Sequence, residues 1–169
     1  MPPATADWLH LSDDEAIVWD RRPHPIAMGA GLPIGVGLLF VGLVLAGWSL
    51  ANGVDYLPAV GTVIALGGLA IVGARWLVWT NTRYVITSDE LYKKRGVVSR
   101  DVTQFRLDRV QNTSLQQSAL GRLLGYGDLT VYTAGSGEPE LTFELVPNPG
   151  RAANVLDDQL GATTGNPPV

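Results

Sequence analysis

Two long stretches of uncharged, mostly apolar residues fill the first half of the chain. The first runs from Pro23 to Val54 and the second from Tyr56 to Ala74, and neither contains Asp, Glu, Lys or Arg. A helix needs about 20 predominantly apolar residues to cross the hydrocarbon core of a bilayer. Only a short, turn-forming segment separates the two stretches, so the pattern predicts a hairpin of two transmembrane helices over residues 26–80.

Two alternatives to a membrane hairpin fit the apolar stretches less well. A cleavable signal peptide begins with a short basic region, whereas the segment before the first stretch is acidic and the stretch itself is too long. A buried hairpin of a soluble protein is the second alternative, but uncharged spans of this length rarely occur outside membranes. The sequence therefore favours an integral membrane protein.

Basic residues flank the predicted hairpin on one side only. Arg21 and Arg22 precede the first helix, Arg75 and Arg83 close the second, and the connecting loop carries only Asp55. By the positive-inside rule, both termini are predicted to be cytoplasmic in a cell membrane. The loop on the outer side is too short to form a receptor for an external ligand.

Both predicted helices carry small residues at small-xxx-small spacing. These residues are Gly31, Gly35, Gly42 and Ala46 in the first helix, and Gly61, Ala65, Ala70 and Ala74 in the second. Such spacing lets two helix backbones approach closely in lipid, where no hydrophobic force drives association. We expect these residues to pack the hairpin together, and contact with another copy or a partner is the alternative.

The second half of the chain changes to short segments in which apolar and polar residues alternate. The predicted strands are Tyr84–Thr87, Leu91–Lys94, Val97–Ser99, one that places Leu129, Val131 and Thr133 on one face, and one that places Leu141, Phe143 and Leu145 on one face. Alternation with period two is typical of strands that bury one face. The pattern predicts an antiparallel sheet.

A single amphipathic helix is predicted at the end of the chain. Asn148 can cap it and Pro149 suits its first position. The apolar residues at helical spacing are Ala152, Val155, Leu156 and Leu160. The helix is expected to end near Gly161, and residues 162–169 are predicted to be a disordered tail.

The order of these elements resembles a known family. Two apolar helices, then TRYVITSDELYKKRGVVSRDVTQFRLDRVQNTSLQQSALGRLLGYGDLTVYTAG, then a strand and a helix, are similar to prokaryotic membrane proteins with a bacterial pleckstrin-homology-like (PH-like) domain, the YdbS-like group. The resemblance covers nearly the whole chain, including the lead-in SDDEAIVWDRRPHP. It implies a strongly bent antiparallel sheet capped by the C-terminal helix, with one strand running through Phe105, Leu107 and Val110.

The resulting fold class is a membrane α-helical hairpin plus a cytoplasmic α+β PH-like domain. The predicted organisation is a cytoplasmic N-terminal segment at 1–25, the transmembrane hairpin at 26–80, the PH-like domain at 81–161 and the disordered tail at 162–169.

The segment QNTSLQQSALGRLLGYG is the most specific part of the resemblance. One helical turn would gather Leu120, Leu123 and Leu124 on one side, because residues three and four apart share a helix face. We expect these leucines to close the open end of the sheet's apolar interior, while Gln117 and Arg122 stay solvated. The glycines that follow would end the turn.

Candidate catalytic chemistry is sparse. The only histidines, His10 and His24, lie before the first helix and have no metal-ligand spacing with another His or a Glu. The chain has no cysteine, so a thiolate nucleophile is excluded. The acidic group Asp13–Glu15 follows Ser12 and is interpreted as a helix start. The sequence therefore predicts no enzyme, no cofactor and no metal.

Basic residues are the remaining candidates for binding. Lys93, Lys94, Arg95 and Arg100 flank a predicted turn, and an anionic leaflet would attract them by about 1 kcal/mol per residue. Acidic residues interleave with them, so a solvated hairpin tip is the simpler interpretation. The possible lipid or partner contacts are Lys93, Lys94, Arg95, Arg100, Gln117 and Arg122. Nucleic-acid binding is disfavoured by the net charge of −4.

These patterns together predict a non-enzymatic integral membrane protein that presents its PH-like domain as a protein-interaction or assembly module. The expected partners are the bilayer itself and a second copy or another PH-like membrane protein. The alternative function is binding of anionic lipid headgroups at the inner membrane surface. A transport role is disfavoured, because neither helix core contains an ionisable residue.

Overall fold

The computed structural model describes residues 11, 15–97, 101–133 and 141–165, and it describes side chains as far as residue 162. The chain divides into two compact units. One is the helical unit Pro25–Thr80, and the other combines the described residues before Pro25 with those after Thr80.

The helical unit is a pair of long antiparallel helices. A 3-10 turn at Pro25–Met28 precedes α1, which spans Gly31–Ala51, and α2 spans Leu57–Thr80. Both helices are long and apolar enough to cross a membrane by length and composition. Only 17% of an apolar 18-residue stretch in each helix is buried, whereas the core helix of a soluble protein is mostly buried. Large side chains such as Phe40 and Leu50 are well exposed on the outer surface of the pair.

Glycines form the contact between α1 and α2. A Cβ atom built at Gly61 would lie 2.6 Å from the amide nitrogen of Ala46 and 2.7 Å from the carbonyl oxygen of Gly42. A Cβ at Gly42 would in turn lie 2.5 Å from the carbonyl oxygen of Gly61. Only a hydrogen atom fits at these positions, so the two backbones are in direct contact.

The predicted packing within the hairpin is confirmed, with a change in the residues of α2. Gly35, Gly42, Ala46, Gly61 and Ala65 lie at the contact, as expected. Ala70 and Ala74 are exposed instead, because they lie on the outer face of α2. Gly68, which follows Gly61 by two helical turns, takes their place against the backbone of α1.

The second unit contains two antiparallel sheets. The first has the order β1 (Ile17–Arg21), β2 (Arg83–Thr87), β3 (Glu90–Arg95) and β4 (Asp101–Arg106), and the second has the order β5 (Val110–Gln116), β6 (Tyr126–Thr133) and β7 (Leu141–Pro147). A short helix, α3 (Ala119–Leu124), links β5 to β6, and a longer helix, α4 (Pro149–Gly165), follows β7. The predicted antiparallel sheet and C-terminal helix are therefore confirmed.

The helix start predicted at Asp13–Glu15 after Ser12 lies mostly outside the described residues, and the described residues that follow it form a strand. Glu15 and Ala16 lead directly into β1, which pairs with β2, and Asp13 and Asp14 lie outside the described residues. Pairing satisfies the backbone groups along one edge of β2, and a local helix could not do this. The lead-in therefore supplies an edge strand to the unit that follows the helices.

The chain passes from one sheet to the other at residues 107–109. The strand expected through Phe105, Leu107 and Val110 is interrupted there by a 3-10 turn, so this expectation is wrong. The interruption buries Leu107, which is only 1% exposed. Burial of this side chain between the sheets explains why the chain turns instead of continuing as one strand.

The core lies between the two sheets, against α4. Its buried members are Trp19, Tyr84, Ile86, Leu91, Leu107, Leu129, Val131, Leu141, Phe143, Val146, Ala152 and Leu156. Helix α4 starts at Pro149 as predicted, and it ends at Gly165 rather than near Gly161. A glycine inside a helix costs about 1 kcal/mol relative to alanine, which is too little to end a helix anchored by buried side chains.

Strand β7 contains a bulge that changes which side chains enter the core. Leu141 and Phe143 are buried as predicted, but Leu145 is partly exposed and Val146 is buried instead. Leu145 has a φ angle of 52°, and the register between β6 and β7 shifts at this point. One extra residue on β7 therefore reverses the alternation, and the predicted inward position of Leu145 is wrong.

Candidate interaction surfaces

The predicted basic cluster is divided between the two faces of β3. Lys93 and Arg95 share one face and Lys94 lies on the other, because side chains alternate along a strand. The Nζ atom of Lys93 donates a hydrogen bond to the carbonyl oxygen of Thr142 at 2.6 Å and lies 3.9 Å from a carboxylate oxygen of Glu144. Lys93 is thus held against β7, with 18% of its side chain exposed.

The remaining residues of this cluster differ in exposure. Arg95 is exposed and Lys94 is half-buried. Arg100 lies outside the described residues. The structure therefore leaves Arg95 as the one exposed cation among the described members of this cluster.

The environment of Lys93 and Tyr84 changes the pKa of both side chains. Burial lowers the pKa of Lys93, while the nearby Glu144 partly opposes this shift. Burial is also the main reason why the pKa of Tyr84 is raised to about 12, and the charge of Glu144 raises it further. The Tyr84 hydroxyl donates to the carbonyl oxygen of Glu144 at 3.1 Å. Both groups are structural, because their polar atoms are directed into the fold.

These shifts predict how stability changes at alkaline pH. The pKa of Tyr84 is 10.0 in an unfolded chain and about 12 in the folded chain, so the unfolded chain loses its proton first as the pH rises between these values. The free energy of unfolding should then fall by up to about 1.4 kcal/mol per pH unit in that window. The lowered pKa of Lys93 has the opposite effect below pH 10.5, where stability rises with pH.

The raised pKa of Tyr84, on which this prediction rests, can be measured by an ultraviolet titration of phenolate in the wild type and in Tyr84→Phe. The difference between the two curves should report one phenol that titrates near pH 12. A difference curve centred at pH 10 would contradict the buried environment of Tyr84.

A second polar cluster lies on the outer face of the first sheet. The Tyr92 hydroxyl donates to the Oε2 atom of Glu90 at 2.5 Å, and the Nε2 atom of Gln104 donates to the same oxygen. The Thr87 hydroxyl donates to the Oε1 atom of Glu15 at 2.5 Å. Burial, followed by the hydrogen bond to Glu90, raises the pKa of Tyr92.

This outer cluster joins residues that are far apart in sequence, so no local pattern could have predicted it. Glu15 is 9% exposed and is bonded to a residue 72 positions later in the chain. Hydroxyl and amide donors bind the carboxylates of Glu15 and Glu90. Among the residues that the structure describes, no group of three or more His, Asp or Glu side chains could hold a metal ion.

The helical turn predicted after β5 is present as α3. The Ser118 side chain accepts a hydrogen bond from the Gly121 amide at 3.0 Å and caps the first turn. Gly125 ends the helix with a φ angle of 75°, in the left-handed region that favours glycine. The prediction that a glycine ends this turn is confirmed.

The packing role predicted for the leucines of α3 is wrong. Leu120 is 54% exposed, Leu123 is 81% exposed and Leu124 is 45% exposed. The buried residue of α3 is Gly121, and a Cβ atom there would lie 2.6 Å from the carbonyl oxygen of Tyr126. The helix therefore contacts β6 through its glycine backbone, which turns all three leucines away from the core.

Gln117 is also placed differently from the prediction. It is half-buried, and its Nε2 atom donates to the carbonyl oxygens of Tyr126 at 3.0 Å and Gly121 at 3.2 Å. These bonds hold α3 against the start of β6. The expectation that Gln117 is a solvated contact residue is therefore wrong, and its side chain supports the turn.

A groove lies between α3 and the first turn of α4. It is an open cavity of about 620 Å³ lined by Gln117, Arg122, Gly125, Asn148, Pro149, Gly150 and Arg151. Both of its arginines are exposed. Of the predicted site residues, the structure brings Gln117 and Arg122 together here. Arg151 was not among the predicted binding residues. The sequence around it gives no indication of a binding site beyond a single Arg that follows a Pro-Gly pair.

Strand β5 is an edge strand with an unusual composition. It lies at one end of the order β5-β6-β7, where its hydrogen-bonded neighbour is β6. Its sequence, VQNTSLQ, contains neither a charge nor a proline. Charged residues and prolines are the common means by which proteins protect a sheet edge, and β1, β4 and β7 each carry at least one.

Two antiparallel sheets that enclose one core and end in a C-terminal helix define a PH-like architecture. A comparison of the sequence with known families adds to this similarity, because the matched residues also include the two long helices. The chain belongs to the bacterial PH domain family, whose pattern it matches over residues 30–160.

Two solved structures are also similar to the chain. One is a DUF1696 family protein with a pleckstrin-homology domain from Shewanella loihica PV-4, with 14% identity and a TM-score of 0.38 over 47% of this chain and 70% of the other. The second is a pleckstrin homology domain from Shewanella amazonensis SB2B, with 20% identity and a TM-score of 0.37 over 47% of this chain and 66% of the other. No curated protein matches the chain.

Proposed function

We propose that this chain is a non-enzymatic integral membrane protein that displays its PH-like unit on the cytoplasmic side as a protein-interaction module. Two observations support the membrane part of the proposal. The outer surfaces of α1 and α2 are apolar and largely unburied, and lipid would cover them. Along the chain, Arg21 and Arg22 precede α1, Arg75 lies near the end of α2 and Arg83 follows it, and the positive-inside rule associates such flanking residues with the cytoplasmic face.

The interaction role rests on the uncharged edge of β5. An edge strand presents unpaired N–H and C=O groups, and a strand from a partner can pair with them. Main-chain hydrogen bonds supply affinity in such an interface, and alternate side chains supply specificity. Gln111 and Asn112 are exposed near the start of this strand, where the register with β6 shifts. The partner is a second copy of this chain or another membrane protein with a PH-like domain.

Site-specific photocrosslinking in native membranes tests the interaction. A photoreactive residue at Gln111 should yield one discrete protein adduct that mass spectrometry can identify. Asn112→Lys places a charge on the edge and should abolish the adduct. The matched control Asn154→Lys changes an exposed residue of α4 and should retain it. An adduct that survives Asn112→Lys would argue against docking at β5.

Topology is tested independently by cysteine labelling, because the chain has no native cysteine. A cysteine at Gly53, in the loop between α1 and α2, should react with an impermeant reagent from outside intact cells. A cysteine at Asp157, on the exposed face of α4, should react only after permeabilisation. Reaction of both positions from the same side would exclude a spanning hairpin with cytoplasmic termini.

Lipid binding through the predicted basic cluster has less support than the protein-interaction role. This cluster consists of Lys93, Lys94, Arg95 and Arg100. The ammonium group of Lys93 is bonded to Thr142, so a headgroup would have to displace a hydrogen bond of 2.6 Å. Among the described members of this cluster only Arg95 is exposed, and one basic residue near an anionic surface contributes about 1 kcal/mol of attraction.

A further inference from the structure

We propose that α3 and the adjacent arginines form a contact site for an anionic lipid surface. In this site the leucines of α3 enter the acyl region, and Arg122 and Arg151 bind lipid phosphates. The site is separate from the edge of β5 and goes beyond the protein-interaction role.

The first argument is that the fold does not need leucines on α3. Leu120, Leu123 and Leu124 are 45% to 81% exposed, whereas the leucines of the core are at most 4% exposed. Polar side chains at these three positions would leave the contact between Gly121 and Tyr126 unchanged. A cluster of apolar side chains with this much exposed surface indicates an interaction surface.

The second argument is that the turn is held in a defined conformation. The Ser118 cap fixes its start, and the left-handed Gly125 fixes its end. Gln117 bridges α3 and β6, because it donates one hydrogen bond to the carbonyl oxygen of Gly121 and one to that of Tyr126. The leucines are therefore displayed on a rigid support, which lowers the entropy lost when they bind.

The third argument is charge complementarity. Arg122 and Arg151 line the groove beside α3, and none of its lining residues is acidic. Neither arginine forms an ion pair within the part of the chain that the structure describes. A guanidinium group can donate two parallel hydrogen bonds to a phosphate, and this geometry suits a lipid headgroup.

The combination favours lipid over a protein occupant. Peripheral membrane contacts pair an apolar face, which enters the acyl boundary, with basic residues at headgroup level. Protein interfaces draw most of their energy from Trp, Tyr and Arg seated in pockets, and Leu is under-represented among these residues. Here the most exposed leucine, Leu123, projects from a single turn.

The test uses the full chain in lipid nanodiscs with an environment-sensitive fluorophore on Leu123→Cys. One set of discs contains phosphatidylcholine, and the other contains phosphatidylcholine with phosphatidylglycerol. Spin-labelled lipids should quench the fluorophore in the anionic discs, and salt should weaken the quenching. Arg122→Gln and Arg151→Gln should each lower the equilibrium constant for lipid contact about fivefold, as expected for the loss of one basic residue near a charged surface.

Two control variants test whether quenching is specific to α3. A fluorophore on Asn154→Cys, on the exposed face of α4, should remain unquenched. Asn112→Lys, on the edge of β5, should leave quenching of the Leu123 probe unchanged, so failure of the protein-interaction proposal would not affect this result.

Three outcomes would overturn the proposal. Solvent-like emission in both kinds of disc would mean that the turn does not enter lipid. A shifted emission without quenching by lipid would mean that a protein surface or a second copy covers the leucines. Equal quenching in neutral and anionic discs, unaffected by the arginine variants, would exclude recognition of the anionic headgroup.

Discussion

Replacing Gly42 with alanine is expected to destabilise the pairing of α1 and α2 by about 3 kcal/mol, at the upper end of the usual cost of overpacking. The added Cβ would lie 2.5 Å from the carbonyl oxygen of Gly61 and would overlap the backbone of Ala65. Neither neighbour is a flexible side chain, so the helices themselves would have to separate. The measurement is unfolding by sodium dodecyl sulfate in bicelles, followed by intrinsic tryptophan fluorescence.

The same helices provide matched controls. Gly37 in α1 and Gly67 in α2 have no heavy atom within 4 Å of a built Cβ, so Gly37→Ala and Gly67→Ala should change stability little. Gly68→Ala should behave like Gly42→Ala, because its Cβ would lie 2.6 Å from the carbonyl oxygen of Gly35. Equal effects at Gly67 and Gly68 would show that the close approach of the helices does not govern their pairing.

The adjacent pair Gly67 and Gly68 shows what the sequence could not decide about the hairpin. Spacing revealed that small residues recur on helix faces, and this was sufficient to predict close packing. Two consecutive helical residues point about 100° apart, and the choice between these glycines depends on how α2 is rotated against α1. That rotation is set by the partner helix and has no signature within α2 alone.

Long-range pairing explains the errors in the sheets. Local alternation predicted β2, β3, β6 and β7, because each buries one face against the core. Strand β1 pairs with residues more than sixty positions later, so its partner was invisible to a local pattern. The bulge at Leu145 depends on two hydrogen bonds to residues distant in sequence. The Leu145 amide donates to the Oδ1 atom of Asp128 at 2.7 Å, and the His24 amide donates to the carbonyl oxygen of Leu145 at 2.7 Å.

The candidate sites were predicted only as far as composition allowed. Charge counting identified Lys93 and Arg122 equally, but it could not show that the Lys93 ammonium is bonded to the carbonyl of Thr142. Helical spacing correctly placed the leucines of α3 on one face. Spacing does not tell what covers a face, and the small residue Gly121 decided which side of α3 meets the sheet.

Phe143→Ala is expected to destabilise the PH-like unit by about 3–5 kcal/mol, as for the truncation of a buried aromatic side chain. Phe143 is 1% exposed, and its ring stacks on Tyr84 with a centroid distance of 4.8 Å. The variant loses this aromatic contact and leaves a cavity between the two sheets. Amide hydrogen exchange of β6 and β7, measured on the full chain in nanodiscs, reports the change in stability.

Leu123→Ala is the matched control, and its expected effect is within about 0.5 kcal/mol, as for exposed positions away from structural features. The reason is the 81% exposure of the side chain, which leaves almost no packing to lose. A loss of protection comparable to that of Phe143→Ala would mean that the leucines of α3 are covered by the fold. The same exchange experiment in anionic discs adds a second comparison, because lipid contact should slow exchange in α3 of the wild type and not in Leu123→Ala.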